Sequence, residues 1–234
     1  MVTGDKGGKG KSTFARGLLD IYRFRGIDCQ AYDGDKRNAQ LYRHYKNLQP
    51  GVERIDFFTR GGADALLDNL ESSQPQVVLV DLPAQSGEAF ENYDMEMGLF
   101  ADAGEMGYQV TTASVISRVA DSVNALRLLM QYCSESVDYL AIKNLFYGEP
   151  EKFSRFDESK TRKEFQSQGG VEIVMPDLFD ATYDAIDSKS NTFRDAAKSK
   201  ELSLSNRSRA HYWLKRLEAE ADQAGTLLGL EGGH

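Results

Sequence analysis

Lys11 and Ser12 close a glycine-rich run, "GDKGGKGKST" (Gly4–Thr13), near the start of a 234-residue chain. Gly10-Lys11-Ser12 completes the pattern G-x-x-x-x-G-K-[ST], with Asp5 at the first glycine position. Glycines let successive backbone N–H groups turn inward around phosphate oxygens, and a following helix adds its positive N-terminal end. Lys11 would then reach the β- and γ-phosphates of a nucleotide, and the Ser12 hydroxyl would hold Mg²⁺. Gly7, Gly8, Lys9, Gly10 and Thr13 complete the phosphate-binding set. The alternative is a glycine-rich terminus that binds nothing, and the helical pattern directly after the loop disfavours it. Phe14, Leu18, Ile21 and Tyr22 recur at helical spacing, and Gly26 suits a helix end.

A second group of residues narrows the chemistry. The apolar run "QVVLVDLP" (Gln76–Pro83) reads as a buried strand ending in Asp81, placed to hold the metal through water. Leu82, not a glutamate, follows Asp81, which disfavours ATPases that polarise water with an adjacent glutamate. Asp81-Leu82-Pro83-Ala84 lacks the glycine of a GTPase D-x-x-G switch, and no N-K-x-D guanine signature occurs. A dinucleotide-binding reading fails because the loop carries the lysine and hydroxyl suited to a triphosphate with metal.

Lys6-Gly7-Gly8-Lys9-Gly10-Lys11-Ser12-Thr13 resembles the deviant Walker A loop, K-G-G-x-G-K-[ST]-T, of the ParA/MinD family of ATPases. The resemblance implies that Lys6 crosses into the partner subunit of an ATP-sandwich dimer and touches its phosphates, as an arginine finger acts in trans. "YDGDKRN" (Tyr32–Asn38) matches the family's D-x-D switch segment. By resemblance Asp35 positions the attacking water, and Asp33 supports either the magnesium shell or the loop. Lys36-Arg37 departs from the proline and glutamine of many relatives, and a plain Asp-Gly turn is the alternative reading. Asn144, ending "YLAIKN", corresponds to the asparagine at the adenine edge, or else caps a strand at a turn; Pro176-Asp177 resembles the loop closing over the base. The ordered motifs run from Met1 to about Asp187. The short "VDLPAQ" segment and the Thr192–Trp213 tail look most like the plasmid ATPases of the TraL and StbB kind.

These residues need a frame. Apolar runs alternate with helical patterns, which predicts one α/β domain over residues 1–234: a doubly wound, mostly parallel P-loop sheet flanked by helices. Strands are expected at Cys29–Asp33, Arg54–Phe58, Val77–Asp81, Tyr108–Ala113, Tyr139–Asn144 and Val171–Met175. Helices are expected at Gly62–Ser72, Glu88–Glu105, Asp121–Ser134, Glu158–Gln168, Leu178–Asp187 and Asn206–Ala224. Only Met1, Val2 and Thr3 precede the loop, against about five or six residues in a usual strand, so we expect further residues upstream of Met1. No run approaches the roughly 18 apolar residues of a membrane span, and "TLLGLEGGH" lacks a basic amphipathic face for lipid. Cys29 and Cys133 lie in no metal-ligand spacing and read as reduced thiols, pointing to a cytoplasmic protein.

Net charge is -8, yet the helical tail (about 187–224) is locally basic. Between Asp187 and Arg216, eight basic residues (Lys189, Arg194, Lys198, Lys200, Arg207, Arg209, Lys215, Arg216) face three acidic ones, a net of +5. The family resemblance implies ATP-dependent, sequence-independent DNA binding there; a solvated helical face is the alternative. The leading expectation is an ATP- and Mg²⁺-dependent dimerisation switch that hydrolyses ATP slowly to position plasmid DNA or a conjugative transfer complex, with a protein partner stimulating hydrolysis. The competing readings are a P-loop synthetase acting on a small carboxylate, in the manner of dethiobiotin synthetase, and a nucleotide-binding scaffold with negligible turnover.

Overall fold

In this computed structural model, residues 1–4, 7–8 and 10–230 are described; Asp5, Lys6, Lys9 and residues 231–234 lie outside them. The first strand, β1 (Val2–Thr3), runs into the glycine loop and then helix α1 (Lys11–Arg25). Gly10 caps α1 with φ 92°, and Gly26 closes it with φ 68°, its N–H donating to the carbonyl of Arg23. Both positions need left-handed backbone, which glycine adopts without a Cβ clash. After α1 come β2 (Cys29–Asp33), α2 (Gln40–Tyr45), β3 (Val52–Arg54), α3 (Asp64–Ser73) and β4 (Val77–Asp81). The second half contains α4 (Gly87–Met97), α5 (Leu99–Glu105), β5 (Thr111–Ile116), α6 (Ala120–Cys133) and β6 (Asp138–Asn144). It ends with α7 (Ser154–Asp157), α8 (Lys160–Ser167), β7 (Val171–Met175), α9 (Asp180–Ser188), α10 (Phe193–Ala196) and α11 (Leu204–Ala224).

The seven strands form one sheet in the order β3-β2-β4-β1-β5-β6-β7, and every strand pair is parallel. Strand alternation divides the core between the two faces. Ala31, Leu79, Leu140 and Ile142 pack with α1 and α9–α11, whereas Tyr32 and Val80 pack with α3–α5, and Tyr139 and Ala141 with α6–α8. The chain reverses its winding direction around β1, where the open α/β sheet leaves a crevice at the strands' C-terminal ends. Asp33 and Asp81 sit opposite each other in register there.

Three expected elements differ in position. The strand expected at Arg54–Phe58 is Val52–Arg54, because the Asp56 carboxylate accepts from the Phe58 N–H at 3.1 Å and turns the chain out of the sheet. The strand expected at Tyr108–Ala113 begins at Thr111: the Tyr108 N–H still closes the preceding helix onto the Ala103 carbonyl at 2.8 Å. The single helix expected over Glu88–Glu105 breaks at Gly98 (φ 68°), and Asp94 restarts it by accepting from the Phe100 N–H at 3.1 Å.

Candidate nucleotide site

Gly7, Gly8, Gly10, Lys11, Ser12 and Thr13 line a cavity of about 400 Å³, together with Asp35, Asn144, Pro176 and Asp177. Residues distant in sequence thus meet around the N-terminus of α1, where unpaired N–H groups and the helix dipole favour an anion. Lys6 and Lys9 lie outside the described residues. A Cβ on Gly10, whose φ is 92°, would lie 2.5 Å from Asn144 Nδ2 and 2.8 Å from Met175 Cε, so a larger residue would strain the backbone and displace both side chains. Asn144 is buried, and its Oδ1 accepts from the Phe146 N–H at 3.1 Å. It is therefore a strand-end cap and a cavity residue at once.

Asp81 and Asp33 do not line this cavity; Asp81 lies behind its wall, near enough to Ser12 and Lys11 to feel both. It is 1% exposed, and neither carboxylate oxygen has a hydrogen-bond partner among the described residues. Burial, then the Asp33 carboxylate alongside, pushes its pKa up to about 7 against the pull of the Ser12 hydroxyl and Lys11. Ser12 is thus close enough to act on Asp81 without being aligned as a hydrogen bond. A buried carboxylate left without donors is costly. A divalent cation between Asp81 and the Ser12 hydroxyl relieves that cost with hard oxygen ligands, so the residues fit Mg²⁺. Among the described residues there is no cluster of three His, Cys, Asp or Glu that would hold a metal by itself.

Asp33 is committed differently. Its Oδ1 accepts from the Asp35 N–H and its Oδ2 from the Tyr42 N–H, each at 2.9 Å, so it ties the switch loop to α2. Asp35 Oδ1 accepts from the Arg37 and Asn38 N–H groups, both at 2.9 Å, which holds the turn while keeping the carboxylate on the cavity wall. A Cβ on Gly34 would approach Pro83 Cδ to 2.9 Å, so this loop packs directly on the segment after Asp81. On the other wall, Trp213 Nε1 donates to the Pro176 carbonyl at 2.7 Å, pinning that loop to α11. Burial raises the Asp177 pKa, with Asp180 adding to the shift and Arg216 opposing it.

Sequence reasoning missed Asn38, Gln40, Phe146, Leu178, Tyr183 and Trp213, all of which line the cavity. The one tryptophan in a polar helical tail was the only available signal. The basic tail residues do not form one uniform stripe. Arg194 stacks on Phe24 at 3.7 Å, Arg207 donates to the Leu202 carbonyl at 2.9 Å, and Arg209 lies over Phe179 at 4.8 Å. Lys189 pairs with Glu201 at 3.6 Å; Lys198, Lys200, Lys215 and Arg216 are exposed.

Similarity to solved structures decides the fold. The chain superposes on the septum site-determining protein MinD of Pyrococcus horikoshii OT3, solved with Mg-ADP: TM-score 0.55, 18% identity, 96% of each chain. It has the MinD fold. A nucleotide-binding protein of Archaeoglobus fulgidus, solved with ADP, is similar at TM-score 0.50 and 14% identity, over 82% of this chain and 85% of that one. Protein MobD of Acidithiobacillus ferrooxidans is 27% identical over 213 residues, 91% of each chain. No protein-family model matches the chain. The MinD fold accounts for the parallel sheet and the doubly wound layers expected from the sequence, and agrees with the ParA/MinD resemblance of the loop. Among the described residues, no helix is long and apolar enough to cross a membrane.

Proposed function

We propose that the protein is a ParA/MinD-type ATPase of the cytoplasm, a switch that dimerises on ATP and hydrolyses it slowly to position or partition a cargo. The observation that carries this reading is Asp81: a buried carboxylate without donors, beside Ser12 and Lys11 at the head of α1. Such an arrangement lowers stability until a cation and a phosphate chain complete it.

The glycine-loop amides and the α1 N-terminus bind the phosphate chain, and Lys11 compensates its charge. Ser12 and Asp81 would hold Mg²⁺, which supplies charge neutralisation at the β- and γ-phosphates. Asp35, fixed by its turn, orients water for attack, because phosphoryl transfer depends mainly on positioning. Asn144, Pro176 and Asp177 enclose the base. Lys6 supplies from a second subunit the cation that one subunit lacks, so hydrolysis by a monomer is slow. Plasmid DNA or a conjugative transfer complex is the cargo that the basic tail and the loop resemblance favour, with a partner protein accelerating turnover.

Calorimetric titration and phosphate release provide the test. The protein should bind Mg·ATP and turn it over slowly, and Lys11→Ala should abolish both. Tight binding of guanosine nucleotides with indifference to ATP would sink the reading.

A further inference from the structure

Gln40 opens α2, immediately after the switch loop, and lines the nucleotide cavity beside Tyr183 of α9. Its Oε1 accepts from the Tyr183 hydroxyl at 2.8 Å and from Arg16 Nη1 at 3.3 Å. Arginine has only donors, so the oxygen of this amide, not its nitrogen, must face Arg16. Arg16 itself cannot shift to suit another arrangement. It is fully buried in α1, its guanidinium lies 4.5 Å from the Phe193 ring centroid, and Nη2 donates to the Asn191 carbonyl at 3.3 Å. With the oxygen held on the wall by two donors, the Nε2 amide is left for the cavity; no described residue accepts from it.

Gln40 and Tyr183 line the cavity on the side of α2 and α9, together with Pro176, Asp177 and Leu178, rather than on the glycine loop. A nucleoside joined to phosphates at the α1 N-terminus must extend along a wall of this cavity outside the loop, and Gln40 is a polar group on such a wall.

We propose that Gln40 is a specificity-determining residue of the nucleotide site, its Nε2 donating a hydrogen bond to an acceptor atom of the nucleoside, with Arg16 and Tyr183 as positioning residues. The proposal rests on the nucleotide reading above and adds the recognition of the nucleoside to it. Gln40 also links two segments that must both respond to ligand. Asp35 lies five residues before it on the switch loop, and Tyr183 follows the Pro176–Asp177 segment.

The test compares Mg·ADP with Mg·pyrophosphate, which keeps the phosphates and lacks the nucleoside, by calorimetric titration. Gln40→Glu retains the acceptor oxygen for Arg16 and Tyr183, so its melting temperature should equal or exceed that of the parent, but it no longer donates. Mg·ADP affinity should fall roughly tenfold or more while Mg·pyrophosphate affinity changes less than about twofold. Tyr183→Phe should weaken Mg·ADP by a smaller factor, again sparing pyrophosphate. Equal losses for the two ligands would reduce the effect to charge repulsion and overturn the proposal, as would unchanged ADP binding. If Gln40→Glu unfolds, neutral Gln40→Met provides the same ADP-to-pyrophosphate comparison. A parent protein that binds pyrophosphate but not ADP overturns the role of Gln40 alone; one that binds neither overturns the nucleotide reading, and this proposal with it.

Discussion

A buried carboxylate without donors is informative because evolution can remove it cheaply: asparagine fits the same space and carries no charge. Asp81→Asn should therefore raise the melting temperature of the ligand-free protein. Relieving an unpaired buried charge is worth about 1–3 kcal/mol, or roughly 2–4 °C per kcal/mol in a domain of this size. The same variant should lose the Mg²⁺-dependent part of the thermal shift produced by ADP. A lower melting temperature with the Mg²⁺ effect intact would mean that Asp81 is structural. Asp81, Lys11 and Ser12 were legible because a motif fixes their spacing and a strand or helix fixes their direction. Asp33 was legible with two alternative roles, the magnesium shell or the loop, and its hydrogen bonds are those of the loop role. Its two oxygens are occupied by the Asp35 and Tyr42 amides, a commitment decided by where α2 docks. Gln40 and Tyr183 were invisible, since a glutamine and a tyrosine 143 residues apart carry no local pattern.

At the level of elements, α1 carries the phosphate loop at one end and a buried polar pair along its body. Its close approach to α11 is made possible by Gly17, where a Cβ would come within 2.3 Å of Leu217 Cδ2. Asp20, one turn on, is buried and accepts from the Arg194 N–H at 2.9 Å. Burial raises its pKa from 3.8 to about 6, opposed by the Arg194 amide, Tyr45 and the Arg194 and Arg16 charges. The folded protein thus binds a proton that the unfolded chain has released between pH 3.8 and 6. Stability contributed by Asp20 falls as pH rises through that window, by at most about 3 kcal/mol. Asp20→Asn keeps an oxygen for Arg194 and removes the charge, so at pH 7.5 it should resist urea better than the parent. That advantage should shrink as pH is lowered from 6 to 4; a gap independent of pH would sink the assignment. Element type was legible from periodicity throughout. Boundaries failed where a side chain intervened, as Asp56 does after β3 and Asp94 does at Gly98. The short α2, α7 and α10 escaped because four to six residues hold too little period to read.

For the whole molecule, the question is what a second copy adds. ATP should convert monomer to dimer, measured by light scattering during size exclusion. Lys6→Ala should prevent this or uncouple it from hydrolysis, and Asp35→Ala should leave an ATP-bound dimer that persists; an unchanged dimer in the Lys6 variant would remove the trans lysine from the scheme. Dimerisation also bears on nucleic acid. A net charge of -8 repels DNA at long range, so one local segment of +5 gives weak attraction at best. In the proposed ATP-bound dimer, two such segments would double the number of phosphates neutralised, so binding would depend on ATP and fall steeply with salt. The residues to change are those without an internal role. Arg194, Arg207 and Arg209 pack against Phe24, the Leu202 carbonyl and Phe179, so reversing them would disturb the fold as well as the surface. Lys198, Lys200 and Lys215 are exposed. Changing all three to Glu should weaken binding to nonspecific duplex at low salt, in the presence of a non-hydrolysable ATP analogue, while leaving dimerisation intact. The slope of log affinity against log salt should become shallower by about 0.9 for each phosphate that is no longer neutralised. If the parent protein binds no DNA at any salt, nucleic acid is removed from the proposed reading.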